Sequence, residues 1–335
     1  MRRSLRRTAG SAVVVLLLAG CSSGSGGASS TTTSAPPIVT PAPGAVGTLA
    51  EVTALIAAST QEKQLPKDLT PPLVNLAADS ENVYKDGCEA QDHEATVKTC
   101  EYGDPKGTKL IVLLGDSHAG MWHPAVDAAA KRAGWRLVLL SKPGCPSPDL
   151  SFYDLQENRT YPECEAWHSY TRERIATLKP DAVVISSAYF APKKADGSLV
   201  TPSEWSDGLA KTLNDLPSTA KRYVLGDIPY LSQVAPDCLA AHQDDARKCA
   251  TPPGTAVKSD HVKAERDGAA RGLATYIDVQ SWFCASTCPA VAANIAIYRN
   301  QFHITTVYAK WLSGVLADAI GLSSGSGAPV SSPTP

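Results

Sequence analysis

The sequence predicts a three-layer α/β/α domain built on a mainly parallel sheet. Between residues 109 and 320, short apolar runs that stop at Gly or polar residues alternate with longer segments of helical apolar spacing. The runs are apolar throughout rather than at every second residue, as in strands covered on both faces. Strand and helix in alternation imply parallel neighbours joined by crossover helices. In such sheets the functional site sits at the carboxyl ends of the strands.

The elements follow in chain order. Residues 109–114, Lys-Leu-Ile-Val-Leu-Leu, form the first buried strand, which stops at Gly115. A helix fits 121–133 and a second strand 135–140. The helix over 162–178 gathers Trp167, Tyr170, Ile175 and Leu178 roughly on one face. Residues 181–187 are a third strand. Thr201-Pro202-Ser203-Glu204 is a capping box with Pro at the first helical position, opening a helix to about residue 216. Residues 222–226 and 275–279 are further strands, with a helix over 258–271 between them. A final helix over 305–320 buries Tyr308, Trp311, Leu312, Val315 and Leu316.

The flanks differ in kind. Arg2, Arg3, Arg6 and Arg7 precede an apolar run of eight residues, Ala12 to Ala19, too short to span a bilayer. The run ends in Leu18-Ala19-Gly20-Cys21, which resembles the lipobox of bacterial lipoproteins and implies a lipid on Cys21. Residues 1–20 are therefore expected to be a signal peptide, in an exported protein lipid-anchored at the outer face of the bacterial cell membrane. Residues 21–47 are Ser, Thr, Gly, Pro and Ala with few large apolar side chains, a tether that cannot offset chain entropy by burial. Residues 323–335 have the same composition. Residues 48–105 do not fit the alternation and are expected to be a disulfide-pinned extension to the domain at 106–322.

Composition narrows the function class. The 335 residues are 43% apolar, which suits a globular core and excludes a membrane bundle. Net charge is −2, and it becomes −6 without the four arginines of residues 1–20. Nothing there attracts nucleic acid. With Cys21 set aside, eight cysteines remain, an even number suited to four disulfides in an oxidising compartment. Sequence neighbours suggest 88 with 100, 145 with 164, 238 with 249 and 284 with 288, among 105 pairings. Zinc is the competing reading of Cys284 and Cys288, but no second ligand pair accompanies them, and no metal or cofactor is expected.

Gly115-Asp116-Ser117-His118-Ala119 follows the first strand directly and precedes a helix. That position puts Ser117 at the sheet's carboxyl edge, where helix-end amides can receive an oxyanion. A Gly turn with an Asp or Ser cap is the structural alternative. Serine needs a base, and of seven histidines His303 stands apart, in a loop after the last strand and before the final helix. His118 and His123 point from the nucleophile's own elbow and helix. His93, His168, His242 and His261 fall in polar or helical stretches that suit solvated imidazoles.

Gly115-Asp-Ser-His-Ala119 together with Tyr298-Arg-Asn-Gln-Phe-His303 resembles the SGNH (GDSL-like) hydrolases. The closer similarity is to SGNH domains attached to family-three membrane acyltransferases, which O-acylate bacterial glycans. Cys88, Cys100-Glu-Tyr-Gly-Asp104, Gly144-Cys145-Pro146 and Cys288-Pro289 carry that closer likeness, over about residues 85–320. The resemblance implies the flavodoxin-like SGNH fold, Ser117 as nucleophile, His303 as base and the amides of Ser117 and Gly144 as oxyanion donors. Two positions depart from it. Asn300 stands where the family has Asp, and the family's Asn oxyanion donor has no counterpart, leaving Ser187 or a neighbouring amide in that region. Asp278, at a strand end, is the candidate replacement acid.

The resemblance implies an exported serine esterase or O-acyltransferase that takes acyl groups from an acyl donor or acylated cell-envelope glycan. A membrane acyltransferase is the partner it implies. Asn300 attenuates that chemistry, because an amide orients an imidazole without stabilising its cation. The alternative is a non-catalytic lipoprotein that binds glycan or partners the acyltransferase. Trp122, Tyr189, Tyr230 and Trp282 are candidates to stack on sugar faces, with core packing the commoner use of each.

Overall fold

Lys109–Gly115 is buried along all but its first residue, and the rest of the fold is arranged around it. The computed structural model describes residues 41–322 except 43, 81, 82, 84 and 85. The expected signal peptide, Cys21, most of the tether and residues 323–335 lie outside the described residues. Among those described, no helix is long and apolar enough to cross a membrane.

Six strands form the main sheet: β1 (Glu101–Gly103), β2 (Lys109–Gly115), β3 (Trp135–Ser141), β4 (Ala182–Ser186), β5 (Lys221–Leu225) and β6 (Thr275–Ile277). Their order is β1-β3-β2-β4-β5-β6, with β1 antiparallel and the others parallel. The mainly parallel α/β reading is thus what the chain adopts. One strand was not anticipated, since β1 comes from the segment expected to be an extension. Its three residues carry no periodicity, and it forms on β3, where Gly103 pairs with Arg136. The Cβ of any other residue at Gly103 would lie 2.3 Å from the Trp135 carbonyl oxygen, and φ there is +74°.

Alternation along each strand divides the core in two. Ile111, Leu113, Leu137, Leu139, Ala182 and Val184 face one layer with α1 (Leu49–Ser59), α2 (Ser117–Ala133) and the last two helices. Leu110, Val112, Leu114, Val138, Leu140, Val183 and Ile185 face the other. That second layer holds Trp167 of α3 (Pro162–Leu178), Trp205 and Leu209 of α4 (Pro202–Asn214), and Ala264 of the helix Ser259–Arg271. A short helix, α5 (Ala235–Ala241), precedes that one, which is α6. The final helical stretch breaks at Leu312 into α7 (Thr306–Trp311) and α8 (Ser313–Ala319).

The caps follow the sequence. Thr201 and Glu204 exchange the two hydrogen bonds of a capping box. Gly134 closes α2 in the left-handed conformation at φ 69°. The four disulfides join Cys88 to Cys100, Cys145 to Cys164, Cys238 to Cys249 and Cys284 to Cys288. The zinc reading of Cys284 and Cys288 yields to the bond between their sulfurs.

Candidate active site

Gly115 ends β2 opposite Ser141 of β3 and Ser186 of β4, so the following turn emerges at the carboxyl edge of the sheet's centre. A Cβ on Gly115 would sit 1.8 Å from the Ser186 carbonyl oxygen, so only glycine lets the strands close here. Asp116 caps α2. Its Oδ1 accepts the His118 N–H at 2.8 Å and its Oδ2 the Ala188 N–H at 2.8 Å, tying the turn to the end of β4. Burial pushes this carboxyl up to about 6, against the pull of the His118 charge and the two amides. The helix therefore begins at Ser117, four residues before the sequence pattern placed it, and Ser117 occupies the first helical position.

The second half of the site is a closed loop. Arg299 N–H donates to the His303 carbonyl and Thr305 N–H to the Ile297 carbonyl, each at 2.9 Å. Inside it, Asn300 Oδ1 accepts the N–H groups of Phe302 at 2.9 Å and His303 at 2.7 Å. This fold-back brings His303 Nε2 to 3.0 Å from Ser117 Oγ, across 186 residues of sequence. Asn300 Nδ2 lies 3.0 Å from His303 Nδ1.

The amide's orientation decides the imidazole's tautomer. Turning Asn300 over would set its NH₂ against two backbone N–H donors, so Nδ2 must face the ring. Nδ2 only donates, so Nδ1 accepts and the ring proton sits on Nε2, directed at Ser117. In that state the imidazole donates to the serine. Burial, the neighbouring His118 and Arg299 hold His303 far below its ordinary value, at about 2.

His118 has a carboxylate of its own. Its Nδ1 is 2.7 Å from Asp227 Oδ1, with both side chains buried. Asp227 Oδ2 also accepts Tyr230 Oη–H at 2.8 Å and Tyr189 N–H at 3.1 Å. Burial works to lower His118, but the Asp227 charge and hydrogen bond leave it raised, with Asp227 lowered. The His118 and His303 rings stand edge to face with centroids 5.2 Å apart. This His118–Asp227 pair escaped the sequence reading because 109 positions separate the partners. A strand-end Gly-Asp was its only local sign.

A cavity of about 430 Å³ opens on Ser117, Gly144, Asn300 and His303, walled by Phe152, Tyr153, Tyr161, Phe190 and Phe302. Gly144, at φ +73°, turns the chain after β3, and its N–H has no protein partner among the described residues. The Ser117 N–H, in the first turn of α2, has no intrahelical acceptor either. Both are available for an oxyanion.

Other expectations need correction. Ser187 does not line the cavity; its Oγ accepts the Ser147 N–H at 2.9 Å behind the wall. The adjacent Ala188 amide is committed to Asp116. Asp278 is exposed, pairs with Arg266 at 3.0 Å and accepts the Gln280 N–H, so it is no substitute acid for His303. Trp122 and Trp282 pack against each other in the core, Tyr189 stacks on His261, and Tyr230 serves Asp227. None of these four lines the cavity. Nor are His168 and His261 solvated: His168 Nε2 meets the Pro146 carbonyl at 2.8 Å, and His261 is buried beside Glu265.

The chain matches the family described as SGNH domain (fused to AT3 domains) over residues 87–318. Among solved structures it is similar to the periplasmic domain of a lipopolysaccharide acetyltransferase from Salmonella ser. Paratyphi A. That likeness has 14% identity and a TM-score of 0.51, over 64% of this chain and 83% of the other. It bears on the fold alone. A protein described as an acylhydrolase from Bacteroides fragilis aligns at 13% identity and a TM-score of 0.40, over 65% and 89% of the two chains. No curated protein matches the chain.

Proposed function

The chain belongs to the SGNH family, and from that premise we propose that it is a serine esterase or O-acyltransferase acting on acyl groups of cell-envelope glycans. The contact of Ser117 Oγ with His303 Nε2 at 3.0 Å carries the reading. Ser117 Oγ attacks the ester carbonyl carbon as its proton passes to Nε2, and the oxyanion forms at the amides of Ser117 and Gly144. Collapse breaks the ester C–O bond, and the departing alcohol takes the proton back. Water or a sugar hydroxyl then resolves the acyl-enzyme. Before attack the ring proton must reside on Nδ1, which Asn300 Nδ2 opposes, so turnover is slow.

Fluorophosphonate labelling tests this. Wild-type protein should be modified at Ser117, and Ser117→Ala should not. Absence of labelling on folded wild type would favour the second reading, a glycan-binding protein, which the donor face of Asn300 supports.

The reading sets the domain outside the cell membrane on a lipid at Cys21, beside a membrane acyltransferase. Its support is the Leu18-Ala19-Gly20-Cys21 run and the AT3 fusion in the family's description. Cys21→Ala should leave the membrane fraction; equal retention would remove the anchor.

A further inference from the structure

Ser117, Pro143 and His303 are common to the walls of two cavities. The larger is the aromatic-lined space of about 430 Å³. The smaller, about 220 Å³, is bounded by Glu89, Gly120 and Arg299 as well as the shared residues. An ester has two arms, one on each side of its carbonyl carbon, and a carbonyl held at Ser117 sends one arm into each space. Aromatic walls and the larger volume suit sugar faces, which assigns the acyl arm to the smaller cavity.

That cavity is charged. Arg299 is half-buried and lines the cavity, and its guanidinium makes no hydrogen bond or ion pair with another described residue. A guanidinium at a cavity wall with no protein acceptor bonded to it keeps its forked donors free, and that fork suits a carboxylate. Two acids stand near it. Asp79 Oδ2 accepts the Thr306 N–H at 2.6 Å, and Asp79 does not line the cavity. Glu89 does line it, buried, with Oε1 accepting the Ser141 hydroxyl at 2.9 Å. Helix α2 is cut away opposite: a Cβ at Gly120 would lie 2.7 Å from Glu89 Oε1. Burial raises Glu89 to about 7, so near neutral pH much of it is protonated and offers a donor.

We propose that the smaller cavity is a subsite for a dicarboxylic acyl group, whose free carboxylate is held by the Arg299 guanidinium with the Glu89 carboxyl beside it. The inference rests on the acyl-transfer reading of Ser117. The far carboxylate is unchanged through the reaction: Ser117 Oγ bonds to the ester carbon, and the sugar oxygen leaves with the serine proton by way of His303.

The test is calorimetric titration of full-length Ser117→Ala, which cannot cleave an ester. Its ligands are methyl succinate, the uncharged isostere methyl succinamate, methyl glucuronide and methyl glucoside. Methyl succinate should bind at least about tenfold tighter than methyl succinamate, the scale of one charge-assisted hydrogen bond. Adding Arg299→Gln should erase that preference, and Arg299→Lys should keep part of it. Equal binding, no binding, or a preference that survives Arg299→Gln would overturn the proposal. An Arg299-dependent preference for glucuronide over glucoside, without one for succinate, would move the carboxylate to the sugar and overturn the acyl assignment. Turnover of an uncharged ester by wild type tests the acyl-transfer reading separately, since its loss leaves the carboxylate preference measurable.

Discussion

Asn300 presents its Nδ2 to His303 Nδ1 at 3.0 Å, with its oxygen spent on the amides of residues 302 and 303. The geometry of an orienting residue is therefore kept while its chemistry is reversed. A carboxylate in the same place would accept the same two backbone donors and still offer an oxygen to Nδ1–H.

Asn300→Asp should raise ester turnover at least about tenfold; the converse exchange in another serine enzyme costs about 10⁴ in kcat. It should also create an acid limb. In wild type His303 is held at about 2, so its protonation does not depress activity above about pH 5. A carboxylate neighbour raises it, and kcat/KM then falls as pH drops through the new value. An unchanged rate and profile in a folded variant would show that the loop does not present residue 300 to the ring.

Turnover of a short-chain acyl ester should fall to the uncatalysed background in Ser117→Ala and in His303→Ala. Both changes leave the fold, as circular dichroism should show. Full activity in either would mean that the nucleophile or base lies elsewhere.

Asp227→Asn should lower stability by about 3 kcal/mol near pH 5.5, because it strips a buried imidazolium of its counterion. The sign follows from the two groups. His118 is raised, so its contribution is complete below its ordinary 6.5 and fades as pH rises through the folded value. Asp227 is lowered, so its contribution is present above its ordinary 3.8 and is lost as pH falls through the folded value. Urea unfolding should therefore show the gap between wild type and variant widest between those two pH values and narrower near about pH 9. A gap that does not depend on pH would mean the pair is not ionised.

Gly115→Ala should lower the melting temperature by about 10 °C or more, since the new methyl group meets the Ser186 carbonyl oxygen at 1.8 Å. Thermal unfolding followed by circular dichroism measures it. A shift of only about 2 °C would mean that the strand ends separate easily.

What the sequence revealed depended on how local the signal was. The runs at 109–114 and 181–187 announce buried strands because their centres, 110–114 and 182–185, are apolar without interruption. The disulfide partners are near in sequence, and so they were legible. The start of α2 was not, because Gly-Asp-Ser-His reads as a turn until Asp116 is seen capping a helix that begins on Ser117. The partners of His118 and of Ser187 are set by packing between segments distant in sequence, which leaves no period to read. The cavity's aromatics come from separate loops for the same reason: Phe152, Phe190 and Phe302 converge only once the sheet has formed.

Glu89 reaches the smaller cavity from a segment fastened one residue earlier by Cys88, whose partner Cys100 immediately precedes β1. Without that bond the segment would hold to the sheet through contacts such as Ala90 N–H to the Ser141 carbonyl at 3.0 Å. Ser117 and His303, by contrast, sit at a helix start and in a loop whose hydrogen bonds involve no cysteine. Breaking the Cys88–Cys100 bond alone should therefore loosen the Glu89 wall of the smaller cavity while leaving the contact between Ser117 and His303 in place.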